Sequence, residues 1–173
     1  MNIILTGFAS CGKSTTANAI CAQASMRHTD LDRVIEERYE RKYGKRASVR
    51  EIFTDAGKES FAQLENDALR SLSNLRNSVL STGGRTPMHK ENRAILKSLG
   101  TVVYLKAGAE SVLARMKRKG IPKSIGTTPE EVRAEWERRE PVYAEFADIV
   151  IENDNLTPAE TAKAILEKMP APA

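Results

Sequence analysis

Cysteine is scarce in this sequence: only Cys11 and Cys21 occur among 173 residues. Two isolated thiols without C-x-x-C spacing exclude a disulfide framework and a thiolate zinc site, and they point to a reducing compartment. On one helix they would stand about 15 Å apart at about 1.5 Å per residue, too far to pair, so each reads as a small packing residue. Long apolar runs are also missing. Nothing approaches the roughly 20 residues of a spanning helix, and residues 1–8 lack a cationic leader and a small-residue cleavage site, so a cytoplasmic location with no membrane contact is expected. Nor is there a marked excess of one charge: 27 Lys and Arg face 23 Asp and Glu, a net +4 spread along the chain apart from a cluster at 115–119. So mild a balance gives no argument for a nucleic-acid partner. Repeats and low-complexity segments are absent. With 40% hydrophobic and 29% charged residues, the composition is that of one globular domain over 1–173, expected to be a monomer.

What is present is alternation. The short apolar run Asn2-Ile3-Ile4-Leu5-Thr6 ends at Gly7 and reads as a buried strand of a parallel sheet; residues 13–23 then carry Ala17 and Ile20, with Ala24, at helical spacing. Further β-prone segments at 27–31, 78–82, 101–105 and 148–152 are separated by charged stretches of helical period. The pattern predicts an α/β fold, a five-stranded parallel sheet flanked by helices. Residues 32–75 are too many for a simple crossover and read as a helical insertion, with Ser48 and Glu51 forming a capping box and Asp55-Ala56-Gly57 a break. Residues 116–128 contain Gly120, Pro122 and Gly126, which leave no uninterrupted helix and suggest a mobile lid. Thr157-Pro158-Ala159-Glu160 reads as the start of the last helix.

The sharpest signal is Gly7-Phe8-Ala9-Ser10-Cys11-Gly12-Lys13-Ser14, which matches G-x-x-x-x-G-K-[ST] between a strand and a helix, the context that motif requires. Its glycines let successive amides turn inward, and the positive end of the following helix completes an anion cradle. Lys13 would reach the β and γ phosphates of ATP and the Ser14 hydroxyl would enter the shell of Mg²⁺, with Gly7, Ala9, Ser10, Cys11, Gly12 and Thr15 completing the cofactor contacts. The chain has no N-K-x-D guanine signature and no room for the partner domains of larger ATPases, so a small-molecule kinase is the leading class. Asp30 and Asp32, placed at the end of the second strand, would point to one side. One carboxylate can hold Mg²⁺ and the other orient or deprotonate an attacking hydroxyl; a solvated pair capping the next helix is the rival reading. His28 and His89, Trp136, Tyr39 and Tyr43 read as surface or packing residues.

Over nearly its whole length the sequence resembles the shikimate kinase family. The segments that carry the likeness are the phosphate loop; Asp30-Leu31-Asp32 with Ile35-Glu36; Ser48 to Phe53 with Gly57, Phe61 and Glu65; Leu80-Ser81-Thr82-Gly83-Gly84; and Arg139-Glu140-Pro141-Val142-Tyr143. The resemblance implies an ATP-dependent kinase acting on a small carboxylated polyol, shikimate by family default. In that frame Lys13 is catalytic, Asp32 binds the acceptor hydroxyls and serves in catalysis, Ser14 and Asp30 serve the metal, and Gly83 and Gly84 approach the acceptor. Arg139 binds the acceptor carboxylate, Arg115 packs on adenine, and the segment 151–158, with Asn153, surrounds the base. The rivals are a kinase of another small acid and a nucleotide-binding interaction protein.

Three departures fall on the acceptor side. Ala62 stands where the family's F-R-x-x-E pattern has an arginine, Ile121-Pro122 replaces the Arg-Pro pair of the lid, and Arg85 replaces the third glycine of G-G-G. Arg85 is expected to enter the acceptor pocket, against the alternative of a solvated loop residue. Lys117, Arg118, Lys119 and Lys123 are the cations that a closing lid could bring over the transferred group.

Overall fold

The run of Asn2–Thr6 forms strand β1, with Ile3, Ile4 and Leu5 all 0% exposed, as a strand covered on both faces must be. It lies in the middle of a five-stranded sheet of order β2-β3-β1-β4-β5, where β2 is Arg27–Asp30, β3 Ser78–Ser81, β4 Thr101–Lys106 and β5 Ile149–Glu152. Every pairing is parallel, with Ile4 opposite Leu80 on one side and Val102 on the other. The computed structural model describes residues 1–121 and 125–170, apart from the Lys119 side chain.

Parallel strands need crossovers, and the helices supply them on both faces. Helix α1 is Lys13–Ala24, α2 Leu31–Tyr43, α3 Val49–Arg70, α4 Lys90–Leu99, α5 Ala109–Lys119, α6 Pro129–Phe146 and α7 Pro158–Lys168. Because strand side chains alternate, Ile3 and Leu5 pack with Ile20 of α1, Val112 of α5 and Ile165 of α7, while Ile4 packs with Ile35 of α2, Ile52 and Leu69 of α3 and Leu96 of α4. Among the described residues no helix is long and apolar enough to cross a membrane.

The insertion folds as its sequence suggests: Ser48 and Glu51 form a capping box, and α3 bends at Gly57, whose φ of 78° and ψ of 172° interrupt the helix. Thr157 and Glu160 form the corresponding box on α7. Two expectations change. Cys11 lies in the loop before α1, buried, and only Cys21 is helical; both thiols are free. The first residues of the 116–128 segment are helical, because α5 continues through Lys119 and ends at Gly120. Its far end is tied down: Ile125 is 6% exposed, and Thr128 caps α6 in a box with Glu131. Pro122 and Lys123 lie outside the described residues, as does the Lys119 side chain.

Candidate active site

The phosphate loop crosses the carboxyl end of β1 into α1. Gly7 (φ 144°), Ser10 (φ 61°) and Gly12 (φ 107°) have positive φ, which bends the chain into a cup. A Cβ on Gly7 would sit 2.6 Å from the Leu105 carbonyl oxygen and 2.9 Å from Cys11 Sγ, so neither conformation nor space admits a side chain. Lys13 Nζ donates to the carbonyl oxygens of Gly7 at 2.9 Å and Phe8 at 2.8 Å, folding its cation over the cup.

Beside the loop is a cleft of about 470 Å³ lined by Ser10, Cys11, Gly12, Lys13, Ser14, Thr15, Thr16, Arg115, Arg118, Asn153, Leu156, Pro158 and Thr161. Arg115 Nη1 donates to the Cys11 carbonyl at 3.1 Å and Asn153 Nδ2 to the same oxygen at 2.8 Å, which ties α5 and the segment after β5 to the loop. The buried Asn153 Oδ1 has no hydrogen-bond partner among the described residues. Gly7 and Ala9, expected among the cofactor contacts, do not line this cleft; they face the end of β3 instead.

The two aspartates are not strand neighbours on one face. β2 ends at Asp30, and Asp32 belongs to the first turn of α2. Asp30 caps that helix, its Oδ1 accepting from the Asp32 amide at 3.0 Å, so the capping alternative describes Asp30. Asp32 faces inward. Burial, with the Asp30 and Glu36 charges, raises its pKa from 3.8 to about 6 against the opposing pull of Lys13.

The end of β3 joins these parts. A Cβ on Gly84 would be 3.2 Å from the Ala9 amide nitrogen, and one on Gly83 would be 3.4 Å from Asp32 Oδ1 and 3.1 Å from Thr86 Oγ1. Two glycines thus bring the backbone just after β3 between the phosphate loop and Asp32. Behind them is a buried polar cluster that sequence reasoning missed. Glu65 Oε1 accepts from Thr86 Oγ1 at 2.7 Å and Oε2 from Asn92 Nδ2 at 2.9 Å, while Asn66 Nδ2 donates to Asn92 Oδ1 at 3.0 Å. Burial and the nearby Asp32 charge raise the Glu65 pKa to about 7, against its hydrogen bonds and Arg85.

Arg139 reaches this region from α6. It is 1% exposed, stands 5.2 Å from the Phe8 ring centroid, and donates through Nε to Glu135 Oε2 at 2.6 Å. Its Nη2 is buried without a hydrogen bond, although it lies 2.5 Å from the same carboxylate oxygen. Tyr143, one turn on, donates to the Gly84 carbonyl. Asp32, Gly83, Gly84 and Arg139 therefore converge beside the loop, while Arg85 extends to α3, its guanidinium 5.9 Å from the centroid of the Phe53 ring. His28 bonds Asn18 and Ser81, and Trp136 Nε1 donates to the Ala107 carbonyl at 2.9 Å, both packing roles.

The fold that carries this loop, carboxylate and glycine wall has counterparts among known proteins. The family model described as shikimate kinase matches residues 9–170. The chain belongs to the shikimate kinase family. It is 37% identical over 154 residues to a shikimate kinase of Geobacter sulfurreducens, covering 87% of this chain and 81% of the relative. With a shikimate kinase of Legionella pneumophila it shares 36% over 168 residues, covering 96% and 93%. The structure of the Acinetobacter baumannii shikimate kinase in complex with shikimate superposes with a TM-score of 0.84 at 30% identity, covering 96% of this chain and 90% of that one. Members of the shikimate kinase family are ATP-dependent phosphotransferases with an alcohol acceptor, so the interaction-protein reading gives way to an enzyme using ATP and a small molecule.

Proposed function

We propose that this shikimate kinase family member transfers the γ-phosphoryl group of ATP to a hydroxyl of shikimate, with Asp32 as general base. The observation that carries the reading is the Gly83-Gly84 wall, which lies against the phosphate loop at Ala9 and against Asp32 Oδ1 at once. A donor held by the loop and an acceptor held by Asp32 then meet in one place, the positioning that phosphoryl transfer needs.

The amides of the loop and the α1 N-terminus bind the phosphates, and Lys13 offsets the charge that builds on them in transfer. The base occupies the side of the cleft bounded by Arg115 and Asn153, whose unpartnered Oδ1 can accept from an amino group. Ser14, exposed on the first turn of α1, and Asp30 offer hard oxygen donors suited to Mg²⁺. Among the described residues there is no cluster of three acids or histidines, which fits an ion held chiefly by phosphates and water. When bound, that ion neutralises charge on the β and γ phosphates.

Asp32 is poised for its task. With a pKa near 6 it is ionised at neutral pH yet basic enough to take a proton. The hydroxyl proton passes to Asp32 as the oxygen bonds to the γ phosphorus, the bond to the β–γ bridging oxygen breaks, and ADP leaves with that electron pair. Arg139 is the cation for the acceptor carboxylate. Closure of the segment after α5 would exclude water. We further infer a cytoplasmic monomer. An ADP-release assay across shikimate, quinate and gluconate tests the function: turnover with shikimate is expected, and its absence beside turnover with another acid would assign a different acceptor.

A further inference from the structure

We propose that Arg85 determines acceptor specificity, reading an anionic group of the acceptor from the β3 side of the cleft; this rests on the assignment of Asp32 and Gly83-Gly84 to the acceptor site. Arg85 follows those two glycines directly and opens the 3₁₀ turn Thr86–Met88, whose Thr86 hydroxyl holds Glu65. Its guanidinium crosses to α3 and stands 5.9 Å from the centroid of the Phe53 ring, which meets the edge of Phe61 at 5.4 Å. Beside Phe61, α3 offers only the methyl group of Ala62. A cation from the segment after β3 therefore stands against the Phe53 ring of α3.

The electrostatics agree. Burial first, then Arg139 and Arg138, hold the Arg85 pKa below the usual arginine value, with Glu135 and Glu65 opposing. Arg85 and Arg139 lie close enough to act on one another's charge, and positive charge concentrated beside Gly83-Gly84 favours an anionic group on the acceptor. A guanidinium held over an aromatic face has a restricted plane, which suits paired hydrogen bonds to a planar anion.

The test is steady-state kinetics of wild type, Arg85→Ala, Arg85→Lys and the double variant Arg85→Ala/Ala62→Arg, with ATP and shikimate varied separately. Arg85→Ala should raise the KM for shikimate by about ten- to a hundredfold and leave the KM for ATP little changed. Arg85→Lys should recover part of the loss, and Ala62→Arg, which returns a guanidinium from α3, should recover more. Should Arg85→Ala fail to fold, Arg85→Gln carries the same expectation. An unchanged shikimate KM, a parallel rise in both KM values, or no recovery by either cation overturns the proposal. Wild type inactive on shikimate would instead sink the functional reading, and the proposal with it.

Discussion

Replacing Asp32 by Asn removes a carboxylate that the fold holds in its ionised form at a cost. Burial and the Asp30 and Glu36 charges raise its pKa from 3.8 to about 6, a rise worth about 3 kcal/mol at about 1.4 kcal/mol per pH unit. A carboxyl raised in the folded state binds its proton more tightly there than in the unfolded chain. The native state is thus progressively penalised as pH climbs from about 4 to about 6, and the penalty is constant above that. Asp32→Asn should therefore unfold at higher urea than wild type at pH 8 by up to about 3 kcal/mol, with the difference fading toward pH 4. The new amide needs hydrogen-bond partners, so about 1 to 3 kcal/mol is the working range. Glu65 titrates in both proteins, and because the Asp32 charge helps raise its pKa, losing that charge adds to the gain at pH 8 in the same direction. Urea melts followed by the fluorescence of Trp136, the only tryptophan, read the stability. The same variant should lose about 100- to 10,000-fold in turnover, the usual contribution of a general base. Equal stability at pH 8, or a gain of the same size at both pH values, would refute the electrostatic argument; turnover that survives would refute the assignment of the base.

Lys13→Met should lower turnover on the order of 100- to 1,000-fold in the ADP-release assay, with an unchanged circular dichroism spectrum, since its cation serves the phosphates and not the core. Gly84→Ala places a methyl 3.2 Å from the Ala9 amide, and a shift of a few tenths of an ångström in the loop should reduce kcat by about tenfold with little loss in melting temperature. Thr86→Val leaves Glu65 Oε1 without its 2.7 Å donor; the expected loss is about 1 to 3 kcal/mol in urea denaturation, larger at pH 8 than at pH 6 because Glu65, with a pKa near 7, is then ionised.

The phosphate loop was legible because every part of it is contiguous: an apolar strand, two glycines, a lysine and a helix start within one stretch of chain. Strands β1, β3 and β4 were legible for a similar reason, since a strand covered on both faces reads as a short run of buried, mostly apolar residues, whereas the edge strands β2 and β5 are only partly buried and β2 holds no apolar residue. Asp32 was found for the wrong geometric reason. Two acids two residues apart would share a face had β2 continued, but Asp30 caps α2 and turns the chain, and Asp32 reaches the cleft from a helical turn. The Glu65, Thr86 and Asn92 cluster could not be read at all. Its hydrogen bonds join residues 21 and 27 positions apart, and only the packing of α3 and α4 around the end of β3 makes them neighbours. Arg139 was found as a residue type in a motif, but not its burial against Phe8 or its pairing with Glu135.

The two halves of the site are therefore open to change in different degrees. The nucleotide half is made of main-chain amides and carbonyls whose φ values and close contacts forbid side chains, as at Gly7, so substitution there breaks the cup itself. The acceptor half is made of side chains sent from α2, α3, β3 and α6 onto a shared space. A cation lost from one wall can be replaced from another if its head reaches the same volume, because an anion responds to where charge is and not to which element carries it. Arg85, in the segment after β3, stands 5.9 Å from the centroid of the Phe53 ring of α3, which in turn meets Phe61, so its cation reaches α3 from the neighbouring element. The carboxylate would then be approached from the sheet. An acceptor whose anion projects differently from the hydroxyl held by Asp32 would be discriminated by that change of direction, with the grip on ATP unaltered.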